Sequence, residues 1–364
     1  MDRDVSLPND ARPHLFSNTE WWYSFAFVQG DRGGHYAVMS SFFRVGELEN
    51  LKGHYLIFSL IDLDNFIFQP FSIIDSKMLF SMLSAYLPYY LLNHPKDDRT
   101  KELYTELLKL KLPLPHKRMG NVLISSAPTS IRYGNKSLVY NDEKKHIFDV
   151  NLSAGDIEMK LEFTPEKPIS LIGINGKPDN LYYYSFTKNK VTGSIKRGSS
   201  VENLSGRGWF DHQWGNEYRL LINSGWCWFG IQLDDGRELL INQFKYVEKD
   251  KTYAPMANLI DSAGSLRFTR NVVLKALKYW QSSSTGAKYP IEWNIFIPEF
   301  YMSINVRAIF EDQEMPIIGP LQAIWEGACM IEAEENLPQR GVSHIRGKGF
   351  MELVGYANYN AKIT

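Results

Sequence analysis

The segment GRGWFDHQWG, residues 206–215, concentrates side chains that could do chemistry. Within six consecutive positions it places two indoles, an acid, an imidazole and an amide: Trp209, Asp211, His212, Gln213 and Trp214. Asp211 beside His212 is a usable acid–base pair, because a carboxylate can orient and charge an imidazole. The segment is therefore a candidate catalytic site, a candidate metal site, or a polar network that holds a β-barrel together.

Strand alternation divides this segment between two faces. If the chain is extended here, Asp211 and Gln213 share one face, while His212 and Trp214 share the other. We expect His212 and Trp214 to line one cavity and Asp211 to support them from the other side. Whether His212 moves a proton or only donates a hydrogen bond is open at this point, and we favour the hydrogen bond.

A second candidate stretch is NTEWWYSFAF, residues 18–27. In a strand, Glu20 and Trp22 point one way, and Trp21 and Tyr23 point the other. Two interpretations are open for the carboxylate. Glu20 bonds to a backbone or indole N–H for structural reasons, or it is an acceptor in a pocket walled by Trp and Tyr.

A third stretch, GWCWFGIQLDDGRELLINQF, reads as a β-hairpin whose turn contains Asp234-Asp235-Gly236. Trp226 and Trp228 share one strand face, and Gln232 follows on the same strand. On the return strand, Asn242 is the polar residue that we expect to point back toward the GRGWFDHQWG segment.

Metal and nucleophile chemistry have little support in the sequence. The eight histidines form neither HxH nor HxxxH, and no Ser or Cys occupies a GxSxG elbow. We therefore expect no metal site, no nucleophilic triad and no cofactor.

Composition narrows the class of protein. The chain of 364 residues is 44% hydrophobic and carries a net charge of −1, without a long basic run that would favour nucleic acid. Its two cysteines, Cys227 and Cys329, lie in apolar surroundings and are expected to be reduced core thiols. Residues 1–16 show no secretory signal, so a cytoplasmic location is expected. The aromatic content of 14% is typical of a β-rich core and also of a large apolar pocket.

The elements that must position these residues are mostly strands. Runs of β-branched and aromatic residues separated by short polar turns predict antiparallel barrels. Residues 76–115 differ: an apolar, Leu- and Met-rich stretch and an amphipathic one predict a helical insertion that is too short for stable membrane insertion. Three roles stay open for it, namely a stabilising cap on a barrel mouth, a lid for an apolar ligand, or peripheral membrane contact.

Several motifs together resemble one known family. TEWWY, YYYSFTKNKVTGSI, GRGWFDHQWG and WFGIQLDDGREL, with YPIEWNIFIP, AIWEGACMIEA and GKGFMELVGYA in the C-terminal half, look like the carotenoid hydratase (hydroxyneurosporene synthase) and AttH-type lipocalin-like family. The resemblance covers nearly the whole chain apart from the helical insertion. It implies an all-β fold of two lipocalin-like antiparallel β-barrel domains, residues 1–220 and 221–364, with an apolar pocket near their interface.

The resemblance does not fix the reaction. The family includes hydratases of carotenoid double bonds, Diels–Alder cyclases of polyketide-derived polyenes, and proteins known only as transport components. In the hydratases, the His and Trp of the DHxWG motif are implicated in catalysis and correspond to His212 and Trp214. Those enzymes also use a Tyr and an Asp on a later strand, where this chain has Leu240 and Asn242. Because an amide cannot protonate an alkene, this departure disfavours hydration.

The resulting expectation is a cofactor-independent enzyme of natural-product biosynthesis. It would cyclise an apolar polyene, polyketide-derived or terpenoid substrate by a Diels–Alder-type cycloaddition, through preorganisation and hydrogen-bond polarisation. Acid-catalysed hydration or isomerisation of a double bond and non-catalytic carriage of an apolar ligand are the alternatives. The predicted catalytic residues are His212, Trp214, Asp211 and Asn242. The predicted substrate-binding residues are Glu20, Trp22, Tyr23, Trp209, Gln213, Trp226, Trp228 and Gln232.

Overall fold

A computed structural model describes residues 4–173, 175–178, 181–216, 224–246, 251–252, 254–338 and 341–357. Strands dominate, as the all-β prediction required, and they form two curled sheets of lipocalin-like type. The chain divides into two compact units. The first contains Met1–Pro168, Pro178–Glu217 and Ile318–Pro320; the second contains Ile169–Lys177, Tyr218–Ile317 and Leu321–Thr364. The domain boundary predicted at residue 220 lies outside the described residues and stays a prediction.

The first unit contains one large sheet. Its strands lie in the order β5-β4-β3-β2-β1-β13-β12-β10-β9-β8-β7-β6, and every neighbouring pair is antiparallel except β4 and β5. Their bounds are β1 Thr19–Gly30, β2 His35–Val45, β3 Gly53–Asp62, β4 Ile67–Ile74, β5 His116–Arg118, β6 Val122–Ser126, β7 Thr129–Tyr133, β8 Lys136–Asp142, β9 Ile147–Ala154, β10 Ile157–Pro165, β12 Tyr182–Arg197 and β13 Ser200–Gly215.

Contacts between distant strands show that this sheet curls on itself. The ring of Tyr133 on β7 lies 5.4 Å from that of Phe42 on β2 and 5.3 Å from that of His54 on β3. The Tyr133 hydroxyl also donates to the Phe43 carbonyl at 3.1 Å. The sheet face that carries Phe42 is therefore the interior face. On the same face, Phe148 of β9 packs against Phe210 of β13 at 4.7 Å.

The predicted helical insertion is confirmed. It consists of α1 Ser76–Ser81, a π-helical turn Met82–Tyr86, α2 Leu87–Asn93 and α3 Asp98–Leu108. Two of these helices, α1 and α3, follow aspartates that cap free N–H groups: Asp75 accepts from Met78 N, and Asp97 accepts from Thr100 N. Met78, Leu79, Leu87 and Leu107 are buried together with Ile74 and Ile318. No helix in the described part of the chain is long and apolar enough to cross a membrane.

The second unit contains the other sheet, with strands in the order β18-β17-β15-β14-β24-β23-β21-β20-β19, all antiparallel; β16 pairs with β15 and β22 with β23. The strands of this sheet are β14 Ser224–Leu233, β15 Glu238–Tyr246, β16 Lys251–Thr252, β17 Met256–Ile260, β18 Leu266–Thr269, β19 Val273–Gln281, β20 Lys288–Ile297, β21 Met302–Ala308, β22 Glu314–Pro316, β23 Ala323–Leu337 and β24 Gly341–Val354. The two-residue strand β11 Ser170–Leu171 belongs to the other sheet, which contains β12. Alternate residues such as Phe229, Ile241 and Met351 fill its apolar core. Cys227 and Cys329 are buried free thiols of this unit, as predicted.

Candidate active site

Three adjacent strands of the first unit carry the candidate site. In the β1–β13 register, Glu20 lies opposite Trp214 and Trp22 lies opposite His212. In the β12–β13 register, Tyr184 also lies opposite His212. Directly opposed residues share a face, so all five side chains lie together. This is the interior face, because the Phe42 that packs on Tyr133 lies opposite Trp22 in the next strand pair.

Glu20 is the centre of this group. Its Oε1 lies 3.0 Å from His212 Nε2 and 2.7 Å from His14 Nδ1, and its Oε2 accepts from Arg44 Nη1 at 3.0 Å. The carboxylate is fully buried. Burial alone would raise its pKa, but the hydrogen bonds from His14 and His212 lower the pKa of Glu20 to about 2. Glu20 is therefore an ionised carboxylate at neutral pH.

His14 lies between two carboxylates. Its Nδ1 contacts Glu20, its Nε2 lies 3.1 Å from Asp10 Oδ1, and its ring stacks on the indole of Trp214 at 4.0 Å with an interplanar angle of 4°. Burial acts to lower the pKa of His14, but the hydrogen bonds to Asp10 and Glu20 outweigh it, so the pKa lies above 6.5. Both nitrogens face acceptors, as an imidazolium requires.

His212 differs from His14. Its side chain has no solvent exposure, and burial lowers its pKa below 6.5 despite the hydrogen bond to Glu20. Because Glu20 is ionised, Nε2 carries the proton and donates to it. The neutral ring then accepts at Nδ1 from the Tyr184 hydroxyl, 3.2 Å away. The ring is also stacked on Trp22, with centroids 4.8 Å apart.

The charges around Glu20 balance one another. Arg44 bridges Glu20 to Glu49, and Lys52 Nζ contacts the same Glu49 at 2.8 Å. The full set comprises three carboxylates and three cations: Asp10, Glu20 and Glu49 with His14, Arg44 and Lys52. Glu20 and Arg44 are buried within this network and Glu49 lies at its exposed edge. The pairing matters because an unpaired charge at the depth of Glu20 would cost several kcal/mol.

The ligand atoms of His14, Glu20 and His212 lie within 4.8 Å of one another, which sequence spacing did not predict. A divalent cation prefers such nitrogen and oxygen donors. It would, however, enter a network that is already neutral, beside the Arg44 guanidinium, and it would displace the hydrogen bonds that orient both rings. This donor set does not fit a resident metal ion.

Asp211 lies on the opposite face of β13. It accepts from Trp209 Nε1 at 2.6 Å and from the Tyr183 hydroxyl at 2.6 Å, and the Ser185 hydroxyl donates to it as well. Gln213 shares that face, as does Tyr23, which lies opposite Asp211. Asp211 therefore supports the sheet from the other side, and the carboxylate that orients His212 is Glu20.

The remaining predicted residues, Trp226, Trp228, Gln232 and Asn242, belong to the second unit. β13 and β15 belong to different sheets, so the expectation that Asn242 points back toward the GRGWFDHQWG segment stays a prediction. Asn242 lies opposite Trp228.

A pair of carboxyl groups, the buried Glu326 and the partly buried Glu352, shares the sheet face of Trp228. Glu352 lies opposite Trp228 on one side and opposite Glu326 on the other, and Trp226 Nε1 donates to Glu352. Burial raises the pKa of Glu352, which is hydrogen-bonded to Glu326. Two carboxyl groups in contact disfavour ionisation of both, so the pair retains a proton to a higher pH than an isolated carboxyl group does.

Sequence reasoning missed several of these residues. His14, Arg44 and Tyr184 had no local signal, because strand pairing and the path of the segment before β1, rather than a motif, bring them to Glu20 and His212. Glu326 and Glu352 did have one: each is a lone acid within an apolar stretch of its strand, AIWEGACM and GFMELVG. The first unit also has a cavity of about 440 Å³ lined by residues such as Phe71, Lys136 and Met159, and none of the predicted site residues lines it.

Comparison with known proteins decides the family. The model of the AttH-like family matches residues 110–356, which is more than half of the chain. The chain belongs to the AttH-like family. Within the first unit, the match begins before β5 and includes the strands that carry Tyr184 and His212.

Solved structures share the fold of this AttH-like chain. A crystal structure described as an AttH from Nitrosomonas europaea is 23% identical, with a TM-score of 0.71 and coverage of 97% of this chain and 98% of that one. Kievitone hydratase from Nectria haematococca is 14% identical, with a TM-score of 0.69 and coverage of 98% and 94%. CghA is 11% identical, with a TM-score of 0.53 and coverage of 97% and 94%. No curated protein matches the sequence.

Proposed function

We propose that this AttH-like protein is a cofactor-independent enzyme that cyclises an apolar, polyene-bearing substrate by intramolecular cycloaddition. The observation that carries the proposal is the state of His212, a neutral ring held between the ionised Glu20 and the Tyr184 hydroxyl. This arrangement supplies fixed hydrogen-bonding groups and aromatic surface, which a pericyclic reaction uses. It does not supply a proton.

The chemistry of the group argues against acid catalysis at this position. Hydration of an isolated alkene needs an acid strong enough to form a carbocation. Glu20 is ionised, the Nε2 proton of His212 is donated to Glu20, and burial raises the pKa of Tyr184 well above 10. None of the three is an effective proton donor to carbon at neutral pH.

The same group offers what a cycloaddition needs. Holding two reacting ends in contact is worth about 7–11 kcal/mol of the barrier, and a fixed donor aimed at a polarised carbonyl adds about 3 kcal/mol. The indole Nε1–H of Trp22 is such a donor: it is buried on the interior face and has no hydrogen-bond partner among the residues that the structure describes. We assign it to a carbonyl conjugated with the reacting polyene. The stacked His212 ring fixes the indole plane.

The test is turnover of conjugated polyenes that carry a carbonyl group, run in D₂O and read by mass spectrometry. The proposal predicts a product with the mass of the substrate and no deuterium bound to carbon. Trp22→Phe keeps an aromatic ring but removes the N–H, and we expect it to lower kcat about a hundredfold. A product heavier by one D₂O contradicts the proposal, and so does recovery of every bound polyene unchanged, which a carrier would give.

Hydration or isomerisation is the second candidate, because of the proton that Glu326 and Glu352 share. This pair supplies the type of acid that Asn242 cannot. The candidate predicts a hydrated or deuterium-exchanged product in the same assay, and loss of activity in Glu352→Gln with the fold intact. Trp22→Phe would then change kcat little.

A further inference from the structure

We propose that the exposed face of the helical insertion docks on the surface of an anionic lipid bilayer. This insertion face comprises Lys77, Phe80, Ser84, Tyr89 and Leu92, followed by Lys96 in the turn before α3. The inference concerns where the protein binds and does not depend on the reaction that it catalyses.

Three large side chains on this face are open to solvent. Phe80 is 70% exposed, Tyr89 is 63% exposed and Leu92 is 81% exposed. The same helices bury Met78, Leu79 and Leu87 on their other side. The apolar residues of the insertion face are therefore not needed for the core. Contiguous exposed apolar side chains on one helix face are a mark of an interaction surface.

The π-helical turn makes these residues one continuous line. Lys77, Phe80 and Ser84 follow ordinary helical spacing of three and four residues. The next step, from Ser84 to Tyr89, is five residues, and it spans the turn Met82–Tyr86. A π turn accommodates one extra residue, so Tyr89 continues the line instead of rotating away from it.

The charge of residues 76–96 favours an anionic partner. Residues 76–96 contain two lysines and no Asp or Glu. The two acids that immediately flank the segment point inward: Asp75 accepts from Met78 N and contacts His54, and Asp97 accepts from Thr100 N and the Tyr90 hydroxyl. The next acid, Asp98, is exposed and forms an ion pair with Lys101 at 2.8 Å. The face thus offers apolar side chains with positive charge at both ends.

Anionic headgroups complement this pattern, because lysines at the ends of an apolar stripe attract them while the apolar residues enter the interfacial region. A second copy of the chain is disfavoured, since it would bring two positive faces together. Binding at the interface needs no spanning helix.

The experiment is sedimentation of the full chain with vesicles, either phosphatidylcholine alone or a mixture of phosphatidylcholine and phosphatidylglycerol. We expect binding to the mixed vesicles that weakens as salt rises. Replacing Phe80, Tyr89 and Leu92 together by Gln should lower the partition constant about a hundredfold. Lys77→Gln with Lys96→Gln should reduce binding to the mixed vesicles and remove its salt dependence.

The matched control is Phe66→Asn. Phe66 is also well exposed, at 59%, but it lies in a hairpin with Asp62 and Asp64, and its positive φ of 55° suits Asn. We expect this variant to bind vesicles as the wild type does.

The proposal is overturned if the wild type does not bind mixed vesicles, if the triple Gln variant binds equally well, or if the wild type forms a dimer that the triple variant abolishes. All three positions are exposed, so we expect the substitutions to leave the fold intact. Unchanged circular dichroism and Tm establish that each variant is folded.

Discussion

The carboxylate of Glu20 accepts a hydrogen bond from His212 at 3.0 Å, across 192 positions of sequence. The pairing of β1 with β13 brings the two side chains together, and His14 and Arg44 bind the remaining positions of the carboxylate. The GRGWFDHQWG segment thus contributes to two separate networks, one on each face of β13. Asp211, the residue next to His212 in sequence, belongs to the network on the other face.

Glu20→Gln should strongly destabilise the fold. The substitution removes the anion between His14 and Arg44, and an uncompensated buried charge costs about 3–5 kcal/mol of unfolding free energy. Urea denaturation measures this loss. Glu158→Gln serves as the control, because Glu158 is exposed and its ion pair with Lys196 is a surface pair at 3.5 Å; we expect a change below about 0.5 kcal/mol. Equal effects of the two substitutions would contradict the assigned role of Glu20.

Acid should remove the contribution of Glu20 to stability. Its pKa is about 2 in the folded chain against an ordinary value of 4.5, so the stabilisation is present above pH 4.5 and is lost as the pH falls toward 2. His14 behaves in the opposite sense: its raised pKa gives stability that is full below pH 6.5 and is lost as the pH rises through the folded-state value. Unfolding free energies measured across pH should show both losses. The acid loss should be smaller in Glu20→Gln and the alkaline loss smaller in His14→Gln; parallel curves for wild type and variants would refute the assignment.

Asp211→Asn and Glu20→Gln should separate the two networks. Since the bonds to Glu20 raise the pKa of His212 against burial, Glu20→Gln should lower that pKa further. Asp211→Asn should leave the pKa of His212 unchanged, because Asp211 contacts Trp209, Tyr183 and Ser185. NMR titration of the His212 ring protons measures both. A His212 pKa that responds to Asp211→Asn and not to Glu20→Gln would reverse the two roles.

The carboxyl pair of the second unit should show a protonated carboxyl group in the infrared spectrum at pH values where an isolated carboxyl group is already ionised. The C=O band of that group should disappear in Glu352→Gln and stay in Glu314→Gln, whose carboxylate accepts from Ser282, Thr285 and Tyr289. The raised pKa of Glu352 also predicts stability that is full below pH 4.5 and is lost as the pH rises through the folded value. If the spectrum lacks the band, the pair does not share a proton.

Zn²⁺ at stoichiometric concentration should leave the Tm unchanged, and a chelator should do the same. The His14–Glu20–His212 group is already charge-balanced with Arg44 in contact, so a metal gains little by binding there. A rise in Tm that His14→Gln abolishes would show that the three donors hold a metal after all.

Much of the fold was predictable from local pattern. Alternation placed His212 with Trp214, and Glu20 with Trp22, on shared faces, and the apolar and amphipathic periodicities of residues 76–115 gave the helical insertion. These features depend only on neighbours along the chain.

The site depended on pairing between distant strands, which local pattern does not encode. Glu20 and His212 are joined by the β1–β13 register, and His14 reaches them from the segment that precedes β1. Asn242 illustrates the same limit. Alternation predicts which face of a strand a side chain occupies, but not the sheet to which that strand belongs. The acids Glu326 and Glu352 could be recognised as lone charges in apolar stretches. Their proximity to each other could be read only from the β23–β24 register.

A ¹⁵N NMR spectrum of the His212 ring at neutral pH in the full chain, assigned with His212→Gln, measures the protonation state of His212 directly. We expect a neutral ring with the proton on Nε2, facing Glu20, and an unprotonated Nδ1 that accepts from Tyr184. That tautomer makes His212 a fixed hydrogen-bonded support. A doubly protonated ring at neutral pH would contradict the account, because His212 would then be an acid with a proton to deliver.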